Sequence, residues 1–118
     1  MRATRLGKDG QLVISEAVLL ANIIKAARLT GWMVAHFRPA MTKRGWRTAV
    51  QGDGAGFPDC VLIHPKKRRL IVAELKSETG ATTPKQDAWL SAWALIPCAE
   101  TFLLRPSDFH WFFEELKR

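Results

Sequence analysis

PDCVLIHPKKRRLIVAELK, residues 58–76, consists of two apolar runs joined by a basic segment that opens with a proline. Runs rich in Val, Ile and Leu and separated by turn residues are expected to fold back as a β-hairpin, Asp59–His64 against Leu70–Lys76. Asp59, Glu74 and Lys76 break the apolar pattern at the open end of that hairpin. Side chains alternate faces along a strand, so Glu74 and Lys76 project to one side and Leu75 to the other. If the turn pairs His64 with Arg69, Asp59 falls opposite Glu74, and directly opposed residues have Cβ atoms about 5 Å apart.

Two bare carboxylates at that separation repel each other, and burial raises the pKa of at least one of them. A divalent cation between them removes the conflict. All-oxygen ligation by Asp59, Glu74 and the backbone carbonyl of Leu75 suits a hard ion, Mg²⁺ or Mn²⁺, which keeps part of its water shell and accepts phosphate oxygens. Lys76 can then hold the attacking water and the phosphate while the ion acidifies that water. The competing reading at this spacing is an edge hairpin whose Asp, Glu and Lys form surface ion pairs of little energetic weight.

Outward from the hairpin, SEAVLLANIIKAARLTGW (15–32) has Ser15 as an N-cap and a helical period through Leu20, Ile23, Ile24 and Ala27. WMVAHFR (32–38) reads as a strand. Residues 39–57 hold four glycines and no sustained period, which predicts a long loop; its Lys43, Arg44 and Arg47 flank Trp46 and suit a phosphate backbone with a stacked base. TTPKQDAWLSAWALIP (82–97) is a second helix with Thr83 as N-cap and Pro84 at the first helical position. Trp89 and Trp93 recur on it at one-turn spacing, as core packing or as a contact between subunits. ETFLLR (100–105) is a short strand, and PSDFHWFFEELKR (106–118) a final helix capped by Ser107 or Asp108, with His64 and His110 assigned to turn and helix surfaces.

The chain has 118 residues, 47% hydrophobic and 25% charged, which fits one globular domain and excludes fibrous or disordered classes. The expected division is a flexible basic N-terminal arm, 1–14, and a folded domain, 15–118. A formal net charge of +7 draws polyanions, and the clusters at 43–47 and in the turn Lys66, Lys67, Arg68 make nucleic acid the expected partner. Cys60 and Cys98 have neither CxxC spacing nor neighbouring ligands, so buried free thiols in a reducing compartment are expected. No apolar run is long enough to span a membrane and the N-terminus lacks the apolar core of a signal peptide, so the expected location is the cytoplasm.

GFPDCVLI followed by VAELKSETGATTPKQDAWLSAW resembles the VRR-NUC family, the virus-type replication-repair nucleases of the PD-(D/E)xK superfamily. Pro58 and Asp59 match the PD element, Glu74, Leu75 and Lys76 the ExK element, and Gln86 the glutamine on the next helix. Glu16 matches the carboxylate carried on the first helix, as a ligand or a supporting group. Two local readings stay open: Glu16 suits a helix dipole, and Thr83 with Gln86 has capping-box spacing.

The elements read above run in the order αβββαβα, and the resemblance implies an α/β restriction-endonuclease-like core, a central mixed sheet flanked by helices. It also implies Mg²⁺-dependent hydrolysis of DNA phosphodiesters leaving 5′-phosphate ends. Likeness to Holliday-junction resolvases implies a homodimer acting on branched DNA in a bacterial cell or a phage-infected host. A non-catalytic DNA-binding module on the same surface is the alternative, and RNA processing a third.

Overall fold

The computed structural model describes residues 15–37 and 51–118 in full, together with the backbone of four short strands outside them. In chain order the elements are β1 (Arg5–Leu6), β2 (Leu12–Val13), α1 (Glu16–Leu29), β3 (Met33–His36), β4 (Ala40–Thr42), β5 (Gly45–Arg47), β6 (Cys60–His64) and β7 (Arg69–Leu75). α2 (Pro84–Ala94), β8 (Ala99–Leu104), a 3-10 turn (Pro106–Asp108) and α3 (Phe109–Lys117) complete the chain. A four-stranded mixed sheet has the order β3-β6-β7-β8, antiparallel except for the parallel pair β7/β8. Its elements follow the expected αβββαβα order, an α/β architecture compatible with a restriction-endonuclease-like core.

The small hairpins β1/β2 and β4/β5 stand apart from this sheet. The first falls within the expected arm, and the second shows that the region expected to be an irregular loop contains paired strands. Three-residue strands such as Ala-Met-Thr and Gly-Trp-Arg are too short to display a period of two in sequence.

The β6/β7 register runs from His64↔Arg69 to Cys60↔Ala73, as the turn predicts. One step further on each strand sets Asp59 opposite Glu74. β7 lies between two neighbours and is buried from Ile71 to Leu75, which is why it reads as a nearly continuous apolar run. On one face, α1 supplies Leu19, Ile23, Ala26 and Ala27, and α3 supplies Phe112 and Leu116, against Leu62, Ile71, Ala73, Leu75 and Leu104 of the sheet. Leu20 and Ile24 of α1 are only partly covered, so the core stripe is turned from the expected one. α2 crosses the other face over β7 and β8 and buries no residue completely.

Helix ends obey their capping chemistry. Ser15 Oγ accepts the Val18 N–H at 3.2 Å, as expected for α1. α3 departs from expectation: Asp108 accepts the Arg105 N–H at 2.8 Å and closes the 3-10 turn instead of capping α3 with its side chain. Cys98 is exposed, contrary to expectation, because it lies in the turn between α2 and β8; Cys60 is a buried free thiol. Among the described residues no helix is long and apolar enough to cross a membrane.

His64 is also buried rather than on the turn surface. Its Nδ1 accepts the Lys67 N–H, its Nε2 faces the Thr30 carbonyl at 3.2 Å, and its ring meets Trp32 edge-on. Gly31, at φ +91°, makes room: a Cβ there would sit 2.9 Å from His64 Nε2. Gly31→Ala is therefore expected to cost about 2 kcal/mol, a fall in Tm on the order of 10 °C by thermal denaturation.

Candidate active site

β6 begins only at Cys60, directly after Pro58 and Asp59, while its partner β7 continues to Leu75. The Lys76 N–H turns to the Leu104 carbonyl on β8 at 2.9 Å, so Leu75 presents its backbone to the opposite edge, where β6 has not yet begun. Asp59 fills that gap: its Oδ2 accepts the Leu75 N–H at 2.9 Å. Its own carbonyl accepts the Phe37 N–H at 3.0 Å, which prolongs the β3/β6 pairing and fixes the backbone. The Leu75 carbonyl points to the same edge as its N–H, toward Asp59.

Glu74 is 2% exposed, on the face that α2 covers. Its carboxyl is pushed up to about 8, first by burial, then by the charge of Asp59 and a hydrogen bond shared with it; Lys76 opposes the shift and Glu16 adds to it. The Lys76 ammonium stands 3.8 Å from Glu74 Oε2, with only 16% of its side chain exposed. One cation does not neutralise this group of carboxyls.

Gln86 closes the capping box and reaches Glu74 at the same time. Its Oε1 accepts the Thr83 N–H at 2.9 Å and Thr83 Oγ1 accepts the Gln86 N–H at 3.2 Å, completing a capping box. Its Nε2 donates to Glu74 Oε2 at 3.0 Å. Glu16 begins α1, where it is exposed. Its carboxyl is shifted up, first by partial loss of water around it and then by Asp59, with Lys76 opposing. It faces the site from the rim.

Among the described residues no group of three or more His, Cys, Asp or Glu side chains is arranged to hold a metal ion. The fit therefore rests on the pair Asp59 and Glu74 with the Leu75 carbonyl. A buried Glu74 carboxyl raised by burial and by the Asp59 charge, in an all-oxygen setting, matches a hard divalent cation with open positions for water. Cys60, next in sequence to Asp59, packs in the core beside Ala73 on the opposite face from Glu74, and burial and the two acids push its thiol up to about 12.

The basic residues separate from this centre. The turn Lys66–Arg68 closes the far end of the hairpin, about 17 Å along β7 from Glu74 at roughly 3.3 Å per residue. There the exposed Lys67 Nζ donates to main-chain oxygens of Lys117 and Arg118 at 3.1 and 2.8 Å, beside the end of α3. Lys66 and Arg68 are exposed. Lys43 and Arg44 lie outside the described residues, as does the side chain of Arg47.

Two residues escaped the sequence reading. Gly56, at φ +83°, lets the segment before Pro58 lie on the first turn of α2; a Cβ there would be 2.6 Å from the Lys85 carbonyl carbon. Its signals were membership of a glycine-rich run and its place at the head of GFPDCVLI. Arg105 Nη1 donates to the carbonyls of Ser77 and Gly80 at 2.6 and 2.7 Å and so clamps the linker from Lys76 to α2. Nothing in sequence distinguished it from other strand-end cations.

The VRR-NUC domain matches residues 25–95. The chain belongs to the VRR-NUC family. No curated protein matches it, and no solved structure does. The matched span carries Asp59, Glu74, Lys76 and Gln86, while Glu16, Arg105 and α3 lie outside it. VRR-NUC membership makes this a nuclease-family domain, and a divalent cation is the general requirement of such nucleases.

Because the Glu74 carboxyl sits at about 8 in the folded chain against an ordinary 4.5, it favours the fold while protonated. That contribution is complete below the ordinary value and is lost as pH rises through about 8. In EDTA, Tm is expected to fall across this window more steeply for wild type than for Glu74→Gln, which cannot ionise. Parallel Tm–pH curves would show that Glu74 does not titrate as described.

Proposed function

We propose that the protein is a metal-dependent, structure-selective DNA endonuclease that hydrolyses phosphodiester bonds of branched DNA, such as Holliday junctions, and leaves 5′-phosphate ends. The observation that carries the reading is the convergence of Asp59 and Glu74 with the Lys76 ammonium 3.8 Å from Glu74. Asp59, Glu74 and the Leu75 carbonyl would hold Mg²⁺ or Mn²⁺, which on binding supplies Lewis-acid activation of water and charge neutralisation at the phosphate.

The chain's own residues do the rest. Lys76 holds the attacking water and a non-bridging phosphate oxygen with an ammonium that burial keeps from wandering. Gln86 fixes the Glu74 carboxylate through Nε2 while its other end is locked to the α2 cap, so Glu74 has one orientation. Asp59 is fixed by the Leu75 N–H. Glu16 adds negative charge at the rim that favours a cation.

One chain offers one such centre, so paired cuts in a symmetric junction call for a homodimer. The net charge of +7 supports binding to the phosphate backbone that weakens steeply with salt, and the absence of a base-reading motif in the sequence favours shape over sequence as the determinant. The reading includes action in the cytoplasm of a bacterial or phage-infected cell.

The test is a cleavage panel of four-way junction, flap and duplex DNA with and without Mg²⁺. Wild type is expected to cut only with the metal, and Lys76→Ala and Asp59→Ala to lose about a hundredfold or more in rate while retaining DNA affinity. Metal-independent binding with no cutting in either Mg²⁺ or Mn²⁺ would instead identify a non-catalytic DNA-binding module.

A further inference from the structure

The chain from Gly52 to Ala55 crosses the outer side of α2 and leaves a groove of about 460 Å³ against the helix face that carries Lys85, Ala88, Trp89 and Ala92. These positions recur at helical spacing and form one stripe, beside but separate from Gln86, which faces Glu74. Trp89 is held in place. Its Nε1 donates to the Asp53 carbonyl at 2.9 Å, and its ring meets Phe57 edge-on with centroids 5.0 Å apart. The two alanines leave space, and Lys85 and Ala88 are exposed.

Lys85 precedes Gln86, whose amide touches Glu74, and from Lys85 the stripe runs about 10 Å along the helix to Ala92 at roughly 1.5 Å per residue. A fixed indole wall, room left by small side chains and an exposed lysine at the N-terminal end of the stripe are the features by which a single strand is held: a base stacks on the ring and a phosphate pairs with the cation. A base within a duplex is stacked and paired on both sides and cannot enter such a groove without being extruded.

The geometry points to a second DNA contact: the α2 groove takes one unpaired nucleotide next to the scissile phosphate, its base against Trp89 and its phosphate on Lys85. The inference rests on the nuclease reading for the path of the strand. It adds to that reading a contact on α2 that only an unpaired nucleotide can make.

The test uses the full chain in EDTA and compares, by fluorescence anisotropy, affinity for a labelled short oligo(dT) with affinity for a blunt duplex of equal length. In Ala88→Leu, which fills the groove from an exposed position, the oligo(dT)-to-duplex affinity ratio is expected to fall about fivefold or more, the lower end of what one stacked base contributes. Lys85→Ala is expected to move the ratio in the same direction. A ratio unchanged in both variants overturns the inference and leaves the groove to another occupant. Duplex and flap cleavage by wild type in Mg²⁺, scored alongside, reports on the nuclease reading separately: a ratio that falls in a protein that cuts nothing supports the groove and counts only against the catalytic assignment.

Discussion

The hydrogen bond from the Leu75 N–H to the Asp59 carboxylate is the constraint on which the site is built. β6 is too short to satisfy the end of β7, and Leu75 is buried, so without Asp59 its N–H would be left unpaired at a cost of about 1–3 kcal/mol. One side chain thus completes the sheet and, by doing so, is brought opposite Glu74. Folding energy and site geometry are coupled through a single carboxylate, and the electrostatic discomfort of the pair follows from the same contact.

Around that contact the supporting residues each restrain one freedom. Gln86 joins the α2 cap to Glu74, Arg105 holds the linker between Lys76 and α2 from its carbonyls, and Gly56 allows the Asp59 segment to lie against α2. All three act on the α2 side, whereas the packed core of α1 and α3 lies on the other face of the sheet. The core face provides stability, and the face under α2, a helix that buries no residue completely, holds Glu74 against Gln86. Such a division suits a site that must admit a long polyanion while keeping its carboxyls fixed.

The hairpin and its register were legible because a period of two and a short turn together determine which residues oppose each other; Asp59 opposite Glu74 needed no tertiary information. Gln86 was half legible: its capping spacing is local, but its second bond reaches back to Glu74 across the linker. His64 was not legible, since its partners Thr30 and Trp32 come from a segment distant in sequence and only the fold brings them to it. The β4/β5 hairpin carried too few residues to show a pattern. The basic turn was conspicuous in composition, yet composition says nothing of the main-chain oxygens at the end of α3 that Lys67 meets or of the length of β7 that separates the turn from the acids.

The central claim is that Asp59 and Glu74 jointly ligate one hard cation. Anomalous diffraction from crystals soaked in Mn²⁺ tests it most directly. A single strong peak between the two carboxyls, within reach of the Leu75 carbonyl and absent from Glu74→Gln crystals, is the predicted result. A map with no peak there, with the Asp59 and Glu74 carboxyls turned apart, would contradict the account.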